Sequence, residues 1–351
     1  GYTVYLKGGK NNVITGLFAR NANSSGYGLF IQDSDTNTVT QSYLLGGDRG
    51  ADLDAGADYN VISLSTMIGN SSIGLVANGA DSNTVTGSYM WGGSYGVDLI
   101  AGSDSNVISF STMIGGSAGG LYATNADSNT VTSSFLRGGA NGAYLDTGSD
   151  YNAISFSSMT GTSSDGLYAN AATSNTVTQS YLWGGNWGAK LDSGSNYNTI
   201  SVSTMFGIVD TGLYLYGSAT NTVTQSYVWG GTFGVYLNGG AGRTDISLST
   251  MIGNSQFGLL ASGSVWNTVT QSYLLGGNDG ANLDTASNFN AISLSTMIGT
   301  GAYGLDANSA DSNTVTGSYL RGGQNAVRLV TGSDQNTISL STMISNSAGN
   351  A

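Results

Sequence analysis

Apolar residues recur along this chain in three short alternating runs, and the whole pattern returns every 23 residues. Its marker is an asparagine. Asn37, Asn60, Asn83, Asn106, Asn129, Asn152, Asn175, Asn198 and Asn221 stand 23 apart, and the series resumes at Asn267 and runs to Asn336, with Thr244 in the missing place. Two residues after each marker sits a β-branched residue (Val39, Ile62, Val85, Ile108), and seven after it a Leu or Met (Leu44, Met67, Met90, Met113). A third run follows, such as Leu75 with Ala77 or Val97 with Leu99. Alternation of apolar and polar neighbours is the period of a strand, and helical spacing is nowhere sustained. The pattern predicts three short strands per 23-residue rung. That makes an all-β chain, a parallel β-helix of about fifteen rungs forming one solenoid domain over residues 1–351.

A 46-residue repeat overlies the shorter one, because two rung types alternate. NTVTQSYLLGG at Asn37 to Gly47 returns at Asn267 to Gly277, and ISLSTMIGNS at Ile62 to Ser71 returns at Ile246 to Ser255. Stacked rungs bring identical residues over one another, as in cross-β ladders. Each Asn amide is expected to donate to one neighbouring rung and accept from the other. Ser42, Ser65 and Ser88 begin a second ladder five residues on, with a hydroxyl in the same role. Gly46, Gly69, Gly92 and Gly115 mark the following turn, where a positive φ or a close approach is needed. Met67, Met113, Met159 and Met205 fill the core in one rung type and need no metal or redox role.

Composition narrows the functions. The chain has 55 Gly, no Pro, Cys or His, and a formal charge of −12. This balance argues against nucleic acid as a partner, since phosphate contacts need clustered cations. Without Cys there are no disulfides or thiolates, and no apolar run is long enough to insert in a membrane.

Segments such as GLYANAATSNTVTQSYLWGG, from Gly166 to Gly185, resemble the right-handed parallel β-helix repeat of the carbohydrate-binding and sugar-hydrolase type. The first Asn and both apolar positions of the motif are kept, while Ser replaces the second Asn. The resemblance spans essentially the whole chain and implies a right-handed, single-stranded β-helix. It is specific for fold and weak for function, because the family includes lyases, glycosidases, adhesins and giant repetitive surface proteins.

Enzymes of that family imply an Asp-rich cleft with a His, Arg or Lys. Here there is no His, no adjacent Asp pair and no long turn insertion. The best lyase-like trio is Lys190, Asp192 and Asp146, with Lys190 read as an isolated charge pointing to solvent. Asp58, Asp81, Asp104, Asp127 and Asp150 share one turn position, where stacked carboxylates either hold calcium or cap backbone N–H groups. No catalytic residue, cofactor or metal site is assigned, with calcium the one cofactor left open, and the chain is expected not to be an enzyme.

One feature exceeds what folding needs. If the Leu/Met position points inward, its neighbours form an outward apolar stripe: Tyr43, Tyr89, Trp91, Tyr181, Trp183, Phe206, Tyr227 and Trp229. Tyr122, Tyr144, Tyr168, Tyr214 and Tyr236 face outward on the third strand. Cross-strand stacking, protein contact and glycan binding all remain open for these rings. Alternate-rung Thr38, Thr84 and Thr130 make a poor ice-binding array. Gly1 to Leu6 begins in the phase of the third strand and Gly349 to Ala351 stops as that strand would begin. This is expected either of a segment from a longer repetitive chain or of copies stacking end to end. The reading is a non-catalytic structural protein of the cell surface or exterior, a spacer or filament unit that self-associates or binds other surface proteins. The alternatives are a glycan-binding surface rod and a polysaccharide lyase or hydrolase.

Overall fold

The computed structural model describes residues 1–346. Strands fall where the alternation places them, in three parallel sheets of fifteen strands each, and the described residues contain no helix. One sheet is built of three-residue strands such as Thr38–Thr40, the second of mostly four-residue strands such as Tyr43–Gly46, and the third of five- or six-residue strands such as Tyr27–Gln32. They are called here the three-residue, four-residue and long-strand sheets. The chain falls into two compact units, residues 1–181 and 182–351, each built on the same rung. Gly349 to Ala351 lie outside the described residues.

Register follows the sequence repeat. Val85 pairs with Ile62 and Ile108, and Met90 with Met67 and Met113, so each core residue sits over its counterpart one rung away. Met67, Met90, Met113 and Met159 in the first unit, and Met205, Met251 and Met297 in the second, are fully buried. The two rung types are complementary in volume. Most rungs with Ile and Met carry Leu then Ala on the long strand (Leu121 and Ala123, Leu167 and Ala169, with Leu213 and Leu215 the departure), and the Val rung between the first two carries Ala then Leu (Ala143 and Leu145). A small residue in one column therefore lies beside a large one in the next, which keeps the interior closely filled.

The Asn ladder bonds mainly to backbone rather than amide to amide. Asn83 Oδ1 accepts the Asn60 N–H at 2.8 Å, and Asn106 Oδ1 accepts the Asn83 N–H at 2.8 Å. Asn106 Nδ2 donates to the Ala80 carbonyl at 3.0 Å. An amide such as that of Asn106 thus satisfies two backbone groups at a buried corner, where a strand ladder cannot reach, while Asn83, Asn221 and Asn313 leave Nδ2 without a partner. The Ser ladder works alike: Ser65 Oγ accepts the Ser42 N–H at 3.1 Å and donates to the Ser63 carbonyl at 2.8 Å.

These corners hold non-glycine residues at positive φ. The residue before each ladder Asn or Ser is left-handed, as in Tyr59 (φ 56°), Leu64 (φ 50°) and Phe110 (φ 49°). Of the two expectations for Gly46 and Gly69, close approach is the one met: neither has positive φ, and neither has room for a side chain. A Cβ on Gly46 would lie 1.8 Å from the Arg49 carbonyl oxygen, and one on Gly69 would lie 1.9 Å from that of Ile73.

Candidate functional site

The outer face of the long-strand sheet carries the chemistry. In the first unit its middle column runs Asp52, Val76, Asp98, Tyr122 and Tyr144 in register. Asp52 pairs with Arg49 at 2.6 Å, yet both Asp52 and Asp98 keep one buried carboxylate oxygen without a partner. Burial pushes each of these carboxyls up to about 6, against the pull of Arg49. Asp146 lies at the edge of the same face, accepting from the Tyr122 hydroxyl at 3.0 Å and from Asn170 Nδ2 at 2.9 Å.

In the second unit this face opens into a cleft of about 360 Å³ lined by Trp187, Lys190, Asp192, Asp210, Tyr214, Tyr216 and Tyr236. Each element supplies its part for a local reason. Trp187, Lys190 and Asp192 lie on the outward side of strand Trp187–Asp192, whose Ala189 and Leu191 go to the core. Tyr214 and Tyr216 repeat that placement one rung on, in register with Lys190 and Asp192. Asp210 comes from the turn just before them.

Lys190 is not the isolated solvent charge expected from sequence. Its ammonium lies 3.0 Å from Asp192 and 4.9 Å from the centre of the Trp187 ring, because flanking rings and carboxylates make a niche for it. Asp192 therefore belongs with Lys190. Asp146, the third member of that trio, is engaged with Tyr122 and Asn170 in the other unit. Trp187 Nε1 donates to Asp210 at 3.1 Å, and the Trp187 ring stacks on Tyr214 at 5.7 Å between centroids. Tyr214 contacts Tyr236 at 5.1 Å and its hydroxyl accepts from Asn238 Nδ2 at 3.1 Å. Flat rings beside carboxylates, an ammonium and phenols suit a sugar, whose C–H face stacks while its hydroxyls bond. Such groups can also exchange protons with a bound ligand.

The other sequence candidates are placed as follows. On the four-residue sheet, Tyr43 is half-buried, as are Trp91, Trp183, Phe206 and Trp229, while Tyr89 (38% exposed), Tyr181 (42%) and Tyr227 (37%) are more open. Phe206 meets both Tyr227 and Trp229, with centroids 5.7 and 5.9 Å away. The Asp turn ladder caps backbone across rungs: Asp58 accepts the Asp81 N–H at 2.8 Å, Asp81 that of Asp104, and Asp150 that of Thr173. Asn196 does the same for Ala219, which is why amide and carboxylate interchange at this position.

Two features escaped the sequence reading. Trp187 and Asp210 were passed over because neither belongs to a ladder; the break of the Gly-Ser turn at Ile208-Val209-Asp210 was the available signal. The left-handed corners also carry bare apolar side chains, Leu64, Phe110 (70% exposed) and Phe156 in the first unit and Val202, Leu248 and Leu294 in the second. They precede the ladder Ser in alternate rungs, so the 46-residue repeat itself marked them.

A family model described as the right-handed β-helix region matches residues 1–136 and 119–274. The chain belongs to the right-handed β-helix family. A second model, periplasmic copper-binding protein (NosD), matches residues 201–350. The donors here do not fit copper, which favours imidazole and soft sulfur: the sequence has no His or Cys, Met205, Met251 and Met297 are sealed in the core, and the exposed Met343 is a single thioether. No curated protein matches the chain by sequence. Among solved structures, a mutant of the periplasmic alginate epimerase AlgG aligns with a TM-score of 0.54 at 11% identity, over 88% of this chain and 77% of that one. A mannuronan C-5 epimerase A-module from Azotobacter vinelandii aligns with a TM-score of 0.49 at 12% identity, over 97% and 90%. PfbA, a surface adhesin of Streptococcus pneumoniae, aligns with a TM-score of 0.47 at 9% identity, over 87% and 84%. At such identities the likeness shows the fold. The expectation that the chain is not an enzyme is overturned, since the same fold carries a periplasmic alginate epimerase.

Proposed function

We propose that this chain is a glycan-handling β-helix of the periplasm or cell surface, which holds a polysaccharide on the outer face of its long-strand sheet. The observation that carries this reading is the cleft of Trp187, Tyr214 and Tyr236 with Lys190, Asp192 and Asp210. The rings supply a stacking platform, and the carboxylates accept hydroxyl hydrogen bonds in fixed positions. The periplasmic and surface proteins among the matches support the location. Calorimetric titration with a panel of polysaccharides tests the reading. Binding by the wild type, lost in Trp187→Ala plus Tyr214→Ala with an unchanged far-ultraviolet spectrum, is expected. Undiminished binding by that double variant would move the site elsewhere.

A second reading, lateral association of copies, is favoured by the exposed corner residues Leu64, Phe110 and Phe156. Bare apolar side chains at every second rung suit a partner of the same period. A net charge of −12 opposes such contacts at low salt. Light scattering should therefore show association rising with salt, and Leu64→Asn plus Phe110→Asn should remove it.

A further inference from the structure

A second cavity, of about 390 Å³, lies on the same face of the second unit. Phe233, Phe257, Asn282, Asp284, Tyr303 and Arg328 are among its lining residues. It meets the first cleft on strand Phe233–Asn238, where Phe233 faces one cavity and Tyr236 the other. Ring contacts bridge the two without a gap. Trp187 meets Tyr214 at 5.7 Å, Tyr214 meets Tyr236 at 5.1 Å, Tyr236 meets Phe233 at 5.3 Å, and Phe233 meets Phe257 at 5.6 Å. The track crosses strands instead of following one.

The charges along this track are unequal. Asp192, Asp210, Asp279, Asp284 and Asp306 line it, against Lys190 and Arg328. Both cations are already committed: Lys190 to Asp192 at 3.0 Å, and Arg328 to Asp306 through two bonds of 2.8 and 2.6 Å. The buried carboxylate of Asp279 accepts from the Tyr303 N–H at 3.0 Å and from Asn282 Nδ2 at 3.2 Å. A polyuronate would bring one carboxylate per sugar to a surface whose cations are spent and whose surplus charge is negative. Freeing Lys190 or Arg328 for it would strand a partner carboxylate in a poorly solvated position.

We propose that the two cavities are subsites of one groove, and that the groove takes a single uncharged glycan laid across the strands. This rests on the glycan reading above and deepens it. The lining runs over seven strands, from Trp187–Asp192 to Asn325–Val330, which at ~4.8 Å per strand is about 29 Å, room for about six sugars. Rings take the C–H faces of successive pyranoses, while Asn282, Asn308, Asp210 and Asp284 meet their hydroxyls.

The test is a length series of neutral cello-, xylo- and manno-oligosaccharides of two to eight units, set beside alginate oligomers of the same lengths, by calorimetry at physiological salt. Affinity for one neutral series should climb by about tenfold or more between the dimer and the hexamer and then level off. Phe257→Ala should weaken the hexamer about tenfold and leave the dimer unchanged. Equal affinity for dimer and hexamer, a hexamer insensitive to Phe257→Ala, or tighter binding of alginate than of every neutral series would each overturn this proposal while leaving glycan binding in place. If no series of either charge binds, the glycan reading falls with it.

Discussion

The indole N–H of Trp187 donates to the carboxylate of Asp210 at 3.1 Å, across one rung of the solenoid. The bond fixes the ring that floors one end of the cleft from a turn that has no place in any ladder. Asp210 also accepts from the Thr211 hydroxyl at 3.2 Å, so its orientation is held from two sides.

Replacing Asp210 by Ala should therefore loosen Trp187 without disturbing the core. Loss of one charge-assisted bond is worth about 1.5 kcal/mol, or about tenfold in glycan affinity. Titration of the variant beside Trp187→Ala checks this, and the melting temperature should stay within a few degrees of wild type.

The one gap in the Asn ladder is a place where stability can be added. Thr244 is fully buried, its hydroxyl has no partner, and Asn221 Nδ2 below it is likewise unsatisfied. Thr244→Asn should restore the missing bonds and stabilise by about 1–2 kcal/mol. Asn106→Ala does the reverse, orphaning the Asn83 N–H and the Ala80 carbonyl, and should cost about 2–4 kcal/mol. Urea unfolding of both variants measures the pair.

Asp98 sets a pH dependence. Burial raises its carboxyl from an ordinary 3.8 to about 6, so the folded state holds a proton that the unfolded chain has released. The contribution of Asp98 to stability is thus greatest below about pH 4, falls as pH rises through 6, and stays reduced above it. The penalty at pH 7.5 is on the order of 3 kcal/mol. Asp98→Asn should recover much of it at pH 7.5 and almost nothing at pH 4, as denaturant melts at the two values will show.

The left-handed corners predict a further gain. Leu64 and Phe110 hold φ near 50° with side chains largely in water. A non-glycine residue there costs roughly 1 kcal/mol, and Asn tolerates the conformation better than Leu or Phe. Leu64→Asn and Phe110→Asn should each stabilise by about 0.5–1 kcal/mol, read as a raised urea midpoint with unchanged slope.

What was legible in the sequence was everything that repeats. Asn60, Ser65 and Met67 announced their rung because each must match the residue 23 positions away to satisfy a buried corner or fill a column. The direction of the ladder bonds was not legible: Asn83 serves the backbone of Asn60, and sequence identity along a ladder is the same whether amides bond each other or the main chain. The cleft was still less so. Lys190, Asp192 and Tyr214 were visible as residues, but their meaning came from Trp187 and Asp210, which interrupt the pattern rather than follow it. Outward columns are free to vary, so periodicity carries no information about which of them meet.

The complementary packing of the two rung types also bears on how such a chain can change length. Excising 46 residues would keep the two rung types alternating, with Leu121 and Ala123 still bordered by rungs of the opposite kind. Excising 23 would set Leu167 over Leu121 and Ala169 over Ala123, crowding one column and hollowing the next. Duplication and loss in the gene are thereby confined to even steps, and a lineage of these proteins should differ in size by whole pairs of rungs.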